Sequence, residues 1–288
     1  MTETPGALRR RDVQRRFDRA ARQFDQADFV HRHAALGLFD RLSPMQIDAT
    51  RILDLGSATG RDHKSLAKRF RGALVIGLDS SREMLRLAQR RRRWFSRGAV
   101  VQAEAENLPF ADGSLDLVYA NLLLPWIDNL PACFAEIARV LRKNGLFVFS
   151  TLGPDSFQEL RLAWGESLSA TRVRRFPDMH DVGDRLVRSG LRDPVLDVDV
   201  LSLQYRDADR LFADLRRTGA GNSLQLREGT LAGKTRFRSF RERLANSAMH
   251  QQLTVTLELV YGHAWGGGPT PVVGEVRFDA GNIGRRRR

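Results

Sequence analysis

Cysteine is all but missing: Cys133 is the only one in a chain of 288 residues. No internal disulfide and no cysteine-rich metal site can form, which fits a reducing compartment. Its place on an apolar helical pattern makes Cys133 a small core residue. Long apolar runs are missing as well. No stretch approaches the roughly 18 apolar residues that a spanning helix needs. The opening "MTETPGALRRRDVQRRF" lacks the apolar centre of a secretory signal, so the expectation is a cytoplasmic protein without a membrane span. Histidine is sparse, and His31, His33, His180 and His263 do not stand at metal-ligand spacing from one another. Each reads as structural or exposed, with no metal.

Acidic residues are in short supply: 34 Asp and Glu face 47 Lys and Arg, a formal charge of +13. The excess attracts anionic partners without saying which. Part of it is local, in "RRRDVQRR" near the start and in "RRRR" at 90–93 and 285–288. No stacking aromatics are interleaved with these runs and strand four ends in "ANLLLPW", so nucleic acid is not the expected partner. An apolar fraction of 42% and a charged fraction of 28% are ordinary for a globular chain. The length suits one large domain with additions.

The periodicity changes twice along the chain. Residues 8–42 carry Phe17, Ala20, Ala21, Phe24, Val30, Leu36 and Leu38 at helical intervals, which predicts two amphipathic helices. From residue 51 strands alternate with helices: "RILDLG", "ALVIGLD", "AVVQAE", "LDLVYAN" and "GLFVFST" are the strands, with "DHKSLAKRF" and "SREMLRLAQRRRRW" among the helices. Ser80 with Glu83 reads as a capping box for the second of these. Pro131 and Gly145 bracket a helix whose Phe134, Ile137 and Leu141 share a face. This alternation predicts a parallel sheet with right-handed crossovers and ligands at the strands' carboxyl ends. Beyond 151 the order is less regular. "DMHDVGDRLVRSG" is a helix capped by Asp178 and stopped by Gly190, "DPVLDVDVLSLQY" a strand or two, and "DADRLFADLRRTG" a helix. "QLTVTLELVYGHAW" is a long strand with Leu253, Val255, Leu257 and Leu259 facing inward. The expected divisions are a helical lid over 1–45, a core over 46–200, helices and a final strand over 201–281, and a basic tail over 282–288.

The stretch "ILDLGSATG" at 52–60 has the form of a strand running into a nucleotide-cradling turn, Asp54, Gly56, Ala58, Gly60, with alanine at the middle glycine position. The next strand ends at Asp79, where an acidic side chain can accept both hydroxyls of a ribose. The third ends in Glu104 and the fourth at Asn121, all on one edge of the sheet. Capping of helices is the plainer use for Asp79 and Glu104. At Ala58 a positive φ would cost on the order of 1 kcal/mol.

With "IGLDSSREML", "AENLPFADGSLDLVYAN" and "EIARVLRKNGLFVFST" following in order, residues 51–151 resemble the class I S-adenosylmethionine-dependent methyltransferases. The resemblance implies an α/β fold with a Rossmann-like seven-stranded sheet, an N-terminal helical lid and C-terminal α/β additions, and S-adenosyl-L-methionine as cofactor. It implies that Asp54, Gly56, Ser57, Ala58 and Gly60 wrap the amino-acid end of the cofactor, that Asp79 with Ser80 takes the ribose, that Glu104 and Ala105 flank the adenine, and that Asn121 and Leu122 lie beside the methyl donor.

The flanks "RRFDRAARQFDQADFVHRHAALGLFDRL", "STLGPDSFQELRLAW" and "RFPDMHDVGDRLVRSGLRDPVLDVD" are similar to the malonyl-acyl-carrier-protein O-methyltransferases of biotin synthesis, and also to a sister group resembling complex I assembly factors. The first implies esterification of a malonyl carboxylate on an acidic acyl carrier protein, which the basic excess, Arg86 and Arg90 to Arg93 or the N-terminal arginines, would meet; a monomer is the expected state. Ordinary carboxylates are ionised at neutral pH, so positioning must supply the rate. Arg161 is the candidate anchor for the acceptor carboxylate, its plainer use being a pair with Glu159 or Glu166. Trp126 and Trp164 are candidate walls of the acyl pocket. The second implies a cofactor-binding protein that methylates no carrier, and Ala58 and Phe24, which stands where the resembling families carry Tyr, favour it.

Overall fold

A computed structural model describes residues 8–91, 98–165, 173–220, 233–246 and 252–267. Two helices, α1 (Arg10–Phe24) and α2 (Phe29–Leu42), precede the first strand. Then come β1 (Arg51–Leu55), α3 (His63–Arg69), β2 (Leu74–Asp79), α4 (Arg82–Arg91), β3 (Gly98–Gln102), β4 (Leu115–Asn121), a short 3-10 turn (Leu124–Trp126), α5 (Leu130–Val140) and β5 (Leu141–Leu152). The remainder is α6 (Gln158–Trp164), α7 (Met179–Arg188), β6 (Leu191–Tyr205), α8 (Ala208–Arg217), α9 (Gly233–Asn246) and β7 (Leu253–Gly266).

These strands form a seven-stranded sheet in the order β3-β2-β1-β4-β5-β7-β6. The first five pair in parallel, while β7 runs antiparallel between β5 and β6. Strands covered on both faces read as continuous apolar runs, and β4, "LDLVYAN", is buried from Leu115 to Ala120. One face carries Phe134, Ile137 and Leu186 from α5 and α7 against Phe147 and Phe149. The other carries Leu38 and Leu66 from α2 and α3 against Tyr119, Val148 and Tyr261. The long β6 and β7 outrun the sheet and hold a third cluster with α6, α8 and α9, in which Leu211, Phe240, Leu244 and Val255 are buried.

Several boundaries differ from the expectation, each for a local reason. Ser81, not Ser80, caps α4: its hydroxyl accepts from Met84 N at 3.2 Å and donates to Asp18 of α1 at 2.6 Å. Ser80 is left to offer its carbonyl to Gln14 and Gln102. α5 stops at Val140, and Gly145 lies inside β5, where the register shifts beside a left-handed Asn144. β3 ends at Gln102, so Glu104 stands beyond it in a single bridge to Asn107. "DPVLDVDVLSLQY" is one strand with an irregularity between Arg192 and Val195. The α9 segment carries no clear helical signal in the sequence, because its dense arginines blur the apolar period. The runs at 92–93 and 285–288, Glu166 and the tail at 282–288 lie outside the described residues.

The one acid inside β4 is satisfied by the chain entering β1. Asp116 Oδ2 accepts from Thr50 N, Thr50 Oγ1 and Arg51 N at 2.7–2.8 Å, and Arg142 Nε lies 2.8 Å from Oδ1. Burial works against the carboxylate, but these donors outweigh it and hold Asp116 below its ordinary pKa. A depressed folded pKa contributes stability above the unfolded value and loses it as pH falls. Asp116→Ala should therefore lower stability by about 2–3 kcal/mol at neutral pH, and the loss should shrink on acidification, as denaturant unfolding at several pH values will read.

Candidate cofactor and acceptor site

The carboxyl ends of β1, β2 and β4 meet at one edge of the sheet. The chain leaves β1 through Gly56 (φ +75°), Ala58 (φ +45°) and Gly60 (φ +69°), three left-handed residues in five. The turn is tied to β2 by Gly56 N and Ser57 N, both donating to Leu78 O at 2.8 and 3.0 Å. Asp79, at the end of β2, completes the tie: Oδ2 accepts from Ala58 N at 2.9 Å and Oδ1 from Ser81 N at 2.8 Å. Burial pushes Asp79 up to about 6, against the two backbone donors that hold it down. A Cβ at Gly60 would lie 3.0 Å from Ala88 Cβ, whereas the methyl of Ala58 packs with Ala21, Phe24 and Met84. Alanine at the middle position thus trades backbone strain for contact with α1.

Beneath the turn sits a buried polar cluster. Asp54 Oδ2 is 3.1 Å from His63 Nε2, and Asp62 Oδ2 accepts from Tyr119 Oη at 3.0 Å and Asn121 Nδ2 at 3.2 Å. Burial, with Asp54 second, raises Asp62 to about 6. Burial pulls His63 down, but Asp54 and Asp62 outweigh it and its net shift is upward. Asn121 is fully engaged: its amide also donates to His31 O at 2.9 Å and its Oδ1 accepts from Ser150 Oγ at 2.8 Å. Leu122, next in the chain, is left-handed at φ +52°, a strained conformation of the kind that gathers at functional sites.

α1 lies across this edge. Phe17 meets Trp126 edge to face at 5.1 Å, and Phe24 packs 4.9 Å from the His31 ring. The link between α1 and α2 is fastened to the turn by charge: Asp25 accepts from Thr59 Oγ1 at 2.7 Å and pairs with Arg91, and Asp28 pairs with Arg61 and Arg32. Between lid and sheet remains a crevice of about 80 Å³. Gly56, Ala58, Asp79, Ser80, Glu104, Ala105, Asn121 and Leu122 all line it. Asp54, Ser57 and Gly60 do not; they build the turn from behind. Burial, with Glu106 second, pushes Glu104 up, while Arg10 opposes.

A second cavity, about 720 Å³, lies beside the crevice and shares His31, Leu122 and Trp126 with it. Trp164, stacked on Phe240 at 4.1 Å, Phe157 and Leu257 are among its apolar walls. Arg161 does not line it. The Arg161 guanidinium donates to Pro154 O at 2.6 Å and to Ser156 O, so it braces its own loop. Of the charged groups that line the cavity, Arg174 donates to Pro125 O at 2.8 Å and Ile127 O at 3.1 Å, on either side of Trp126. His31 is held down to about 4 by burial, and its Nδ1 has no partner. No spacing in the sequence singles out either residue, since both reach the site only through tertiary packing. Cys133 is buried in the core with its thiol pushed up by burial.

Residues 53–149 match the family described as "Methyltransferase domain". A malonyl-acyl-carrier-protein O-methyltransferase of Halorhodospira halophila is 39% identical over 98% of each chain, and one of Laribacter hongkongensis is 40% identical over 88% of each. The chain belongs to the malonyl-acyl-carrier-protein O-methyltransferase family. It is an S-adenosylmethionine-dependent O-methyltransferase by that membership. The YcgJ protein of Bacillus subtilis has the same fold (TM-score 0.59, 17% identity, 81% of this chain and 98% of that one), as does a putative methyltransferase of Bacillus halodurans (0.58, 13%, 82% and 99%). Among the described residues no helix is long and apolar enough to cross a membrane.

The turn makes a direct prediction. Gly60→Ala should cost about 1–2 kcal/mol through its left-handed backbone, whereas Ala58→Gly should change stability by less than about 1 kcal/mol, because relief of strain opposes the lost contact and the added chain entropy. Thermal unfolding of the two variants separates these outcomes.

Proposed function

We propose that the protein methylates the free carboxylate of malonyl carried as a thioester on an acyl carrier protein, an early step of biotin synthesis. The observation that carries this reading is the junction of a polar crevice, built on a cofactor-type turn, with a large apolar cavity through His31, Leu122 and Trp126. The names of the relatives supply the acceptor.

The crevice residues fit the cofactor in kind. A carboxylate at the end of β2 offers acceptors to a ribose, and the left-handed turn presents bare backbone. Asp79, Glu104, Ala105 and the 56–60 turn would hold it, with Leu122 nearest the acceptor cavity. The crevice is smaller than the roughly 300 Å³ at which ligand pockets begin, and Val13, Phe17 and Phe24 of α1 occupy its outer wall. Binding therefore requires α1 to swing outward. S-adenosylmethionine supplies an electrophilic methyl on a sulfonium.

The chain's own residues have little proton chemistry to do. A carboxylate is already the nucleophile at neutral pH, and no general base is required. What the site must do is strip water from it and fix its direction. Arg174, held between two carbonyls that flank Trp126, takes the anchoring role first expected of Arg161. Its remaining N–H donors suit a carboxylate. His31, neutral because it is buried, can donate one hydrogen bond without adding charge.

Purified protein incubated with labelled S-adenosylmethionine and malonyl-carrier should put base-labile label on the carrier; cofactor binding with no transfer would favour the assembly-factor-like alternative. Asp79→Ala should weaken S-adenosylhomocysteine binding at least about tenfold, read by calorimetry. Because Asp79 is ionised above about pH 6, affinity in the wild type should fall as pH drops below that value, and undiminished binding at pH 5 would count against its role. Arg174→Met should reduce kcat/KM for malonyl-carrier by about 2 kcal/mol or more while leaving S-adenosylhomocysteine affinity intact.

A further inference from the structure

Ser150 is wholly buried in the apolar run of β5, where a hydroxyl is costly unless its bonds are made. They are made in one direction. Its proton goes to Asn121 Oδ1 at 2.8 Å, and its oxygen accepts from Leu122 N at 3.0 Å. The amide of Asn121 carries the direction onward, donating to His31 O at 2.9 Å and to Asp62 Oδ2 at 3.2 Å. A backbone carbonyl only accepts, so the amide cannot flip without breaking the bonds at both of its ends. Asp62, at the head of α3, also accepts from Tyr119 Oη at 3.0 Å.

Neither Asp62 nor Ser150 lines the crevice or the large cavity, whereas Leu122 and His31, at the far ends of these bonds, line both. Leu122 is held against its own preference. Its φ is +52°, and its N–H is gripped by two oxygens of Ser150, Oγ at 3.0 Å and the backbone O at 3.2 Å. Strain of that kind persists only where the surroundings over-determine the backbone. We propose that Asp62 and Ser150 are positioning residues for methyl transfer: acting through the Asn121 amide, they hold Leu122 left-handed and fix the His31 backbone, and so keep the crevice and the cavity aligned. This rests on the proposed function for what each space holds. Neither residue meets the cofactor or the acceptor. Their effect falls on alignment, where an error on the order of 1 Å costs about a hundredfold in rate, and not on affinity.

Kinetics on the full chain decide the matter. Ser150→Ala should lower kcat for malonyl-carrier at least about tenfold, while the carrier KM and the S-adenosylhomocysteine Kd each stay within about threefold. Ser150→Thr, which keeps the hydroxyl, should recover most of that loss. Asp62→Ala should behave like Ser150→Ala, and Asp62→Asn, whose amide oxygen still accepts from Tyr119 and Asn121, should recover likewise. A kcat within about twofold of wild type in both alanine variants, with only the melting temperature lowered, overturns the proposal, as does a loss that falls on Kd or KM in place of kcat. Should Ser150→Ala fail to fold, the two Asp62 variants carry the same test. Should the wild type transfer no methyl, the proposed function fails separately, and the Leu122 methyl resonances, assigned by their loss in Leu122→Met, still read the geometry. Displacement in Asp62→Ala with return in Asp62→Asn upholds the proposal, and unmoved resonances overturn it.

Discussion

The carboxylate of Asp79 is the constraint on which the rest of the site depends. One oxygen fixes Ala58 in the glycine turn and the other fixes Ser81 at the head of α4, so a single side chain joins the exits of two strands. Ser81 in turn grips Asp18 of α1, and the Ala58 methyl lies against Phe24. Turn, helix and lid are thereby positioned by one buried acid whose charge is disfavoured by its surroundings. Such a group is retained for what it binds and orients, since an apolar residue would be cheaper to bury.

The sheet's far edge does a separate job. Because β7 is antiparallel and β6 pairs with it over nearly its full length, the two strands project beyond the parallel core and need their own covering. α6, α8 and α9 provide it, but incompletely, and the unfilled space between them and the β4 end is the large cavity. The large cavity is thus a by-product of extending the sheet, while the crevice belongs to the alternating strands and helices.

Legibility in the sequence followed the range of the interactions. Strands β1, β2 and β4, helix α7 with its Asp178 cap, helix α8, and the inward face of β7 are legible because their signals are local: apolar period, a cap, a glycine stop. The residues at strand ends were readable too, since a parallel sheet puts them on one edge. For Arg161, a helix position says nothing about where a long side chain turns, and here two carbonyls of the preceding loop capture it. Arg174 and His31 carry no local signal. Ser80 and Ser81 both precede the same apolar period, so the sequence alone does not separate them as caps.

By itself the sequence determined the alternation of elements, the glycine turn with its alanine, the acid that follows on the next strand, and the family, because each depends on residue type and spacing along a few turns of chain. Tertiary structure alone decided which oxygens Asp79 has left to offer, how far α1 closes the crevice, that Arg174 flanks Trp126, and that a large apolar cavity adjoins the crevice. Those facts depend on contacts between segments distant in the chain, whose geometry is set by packing and not by any local pattern.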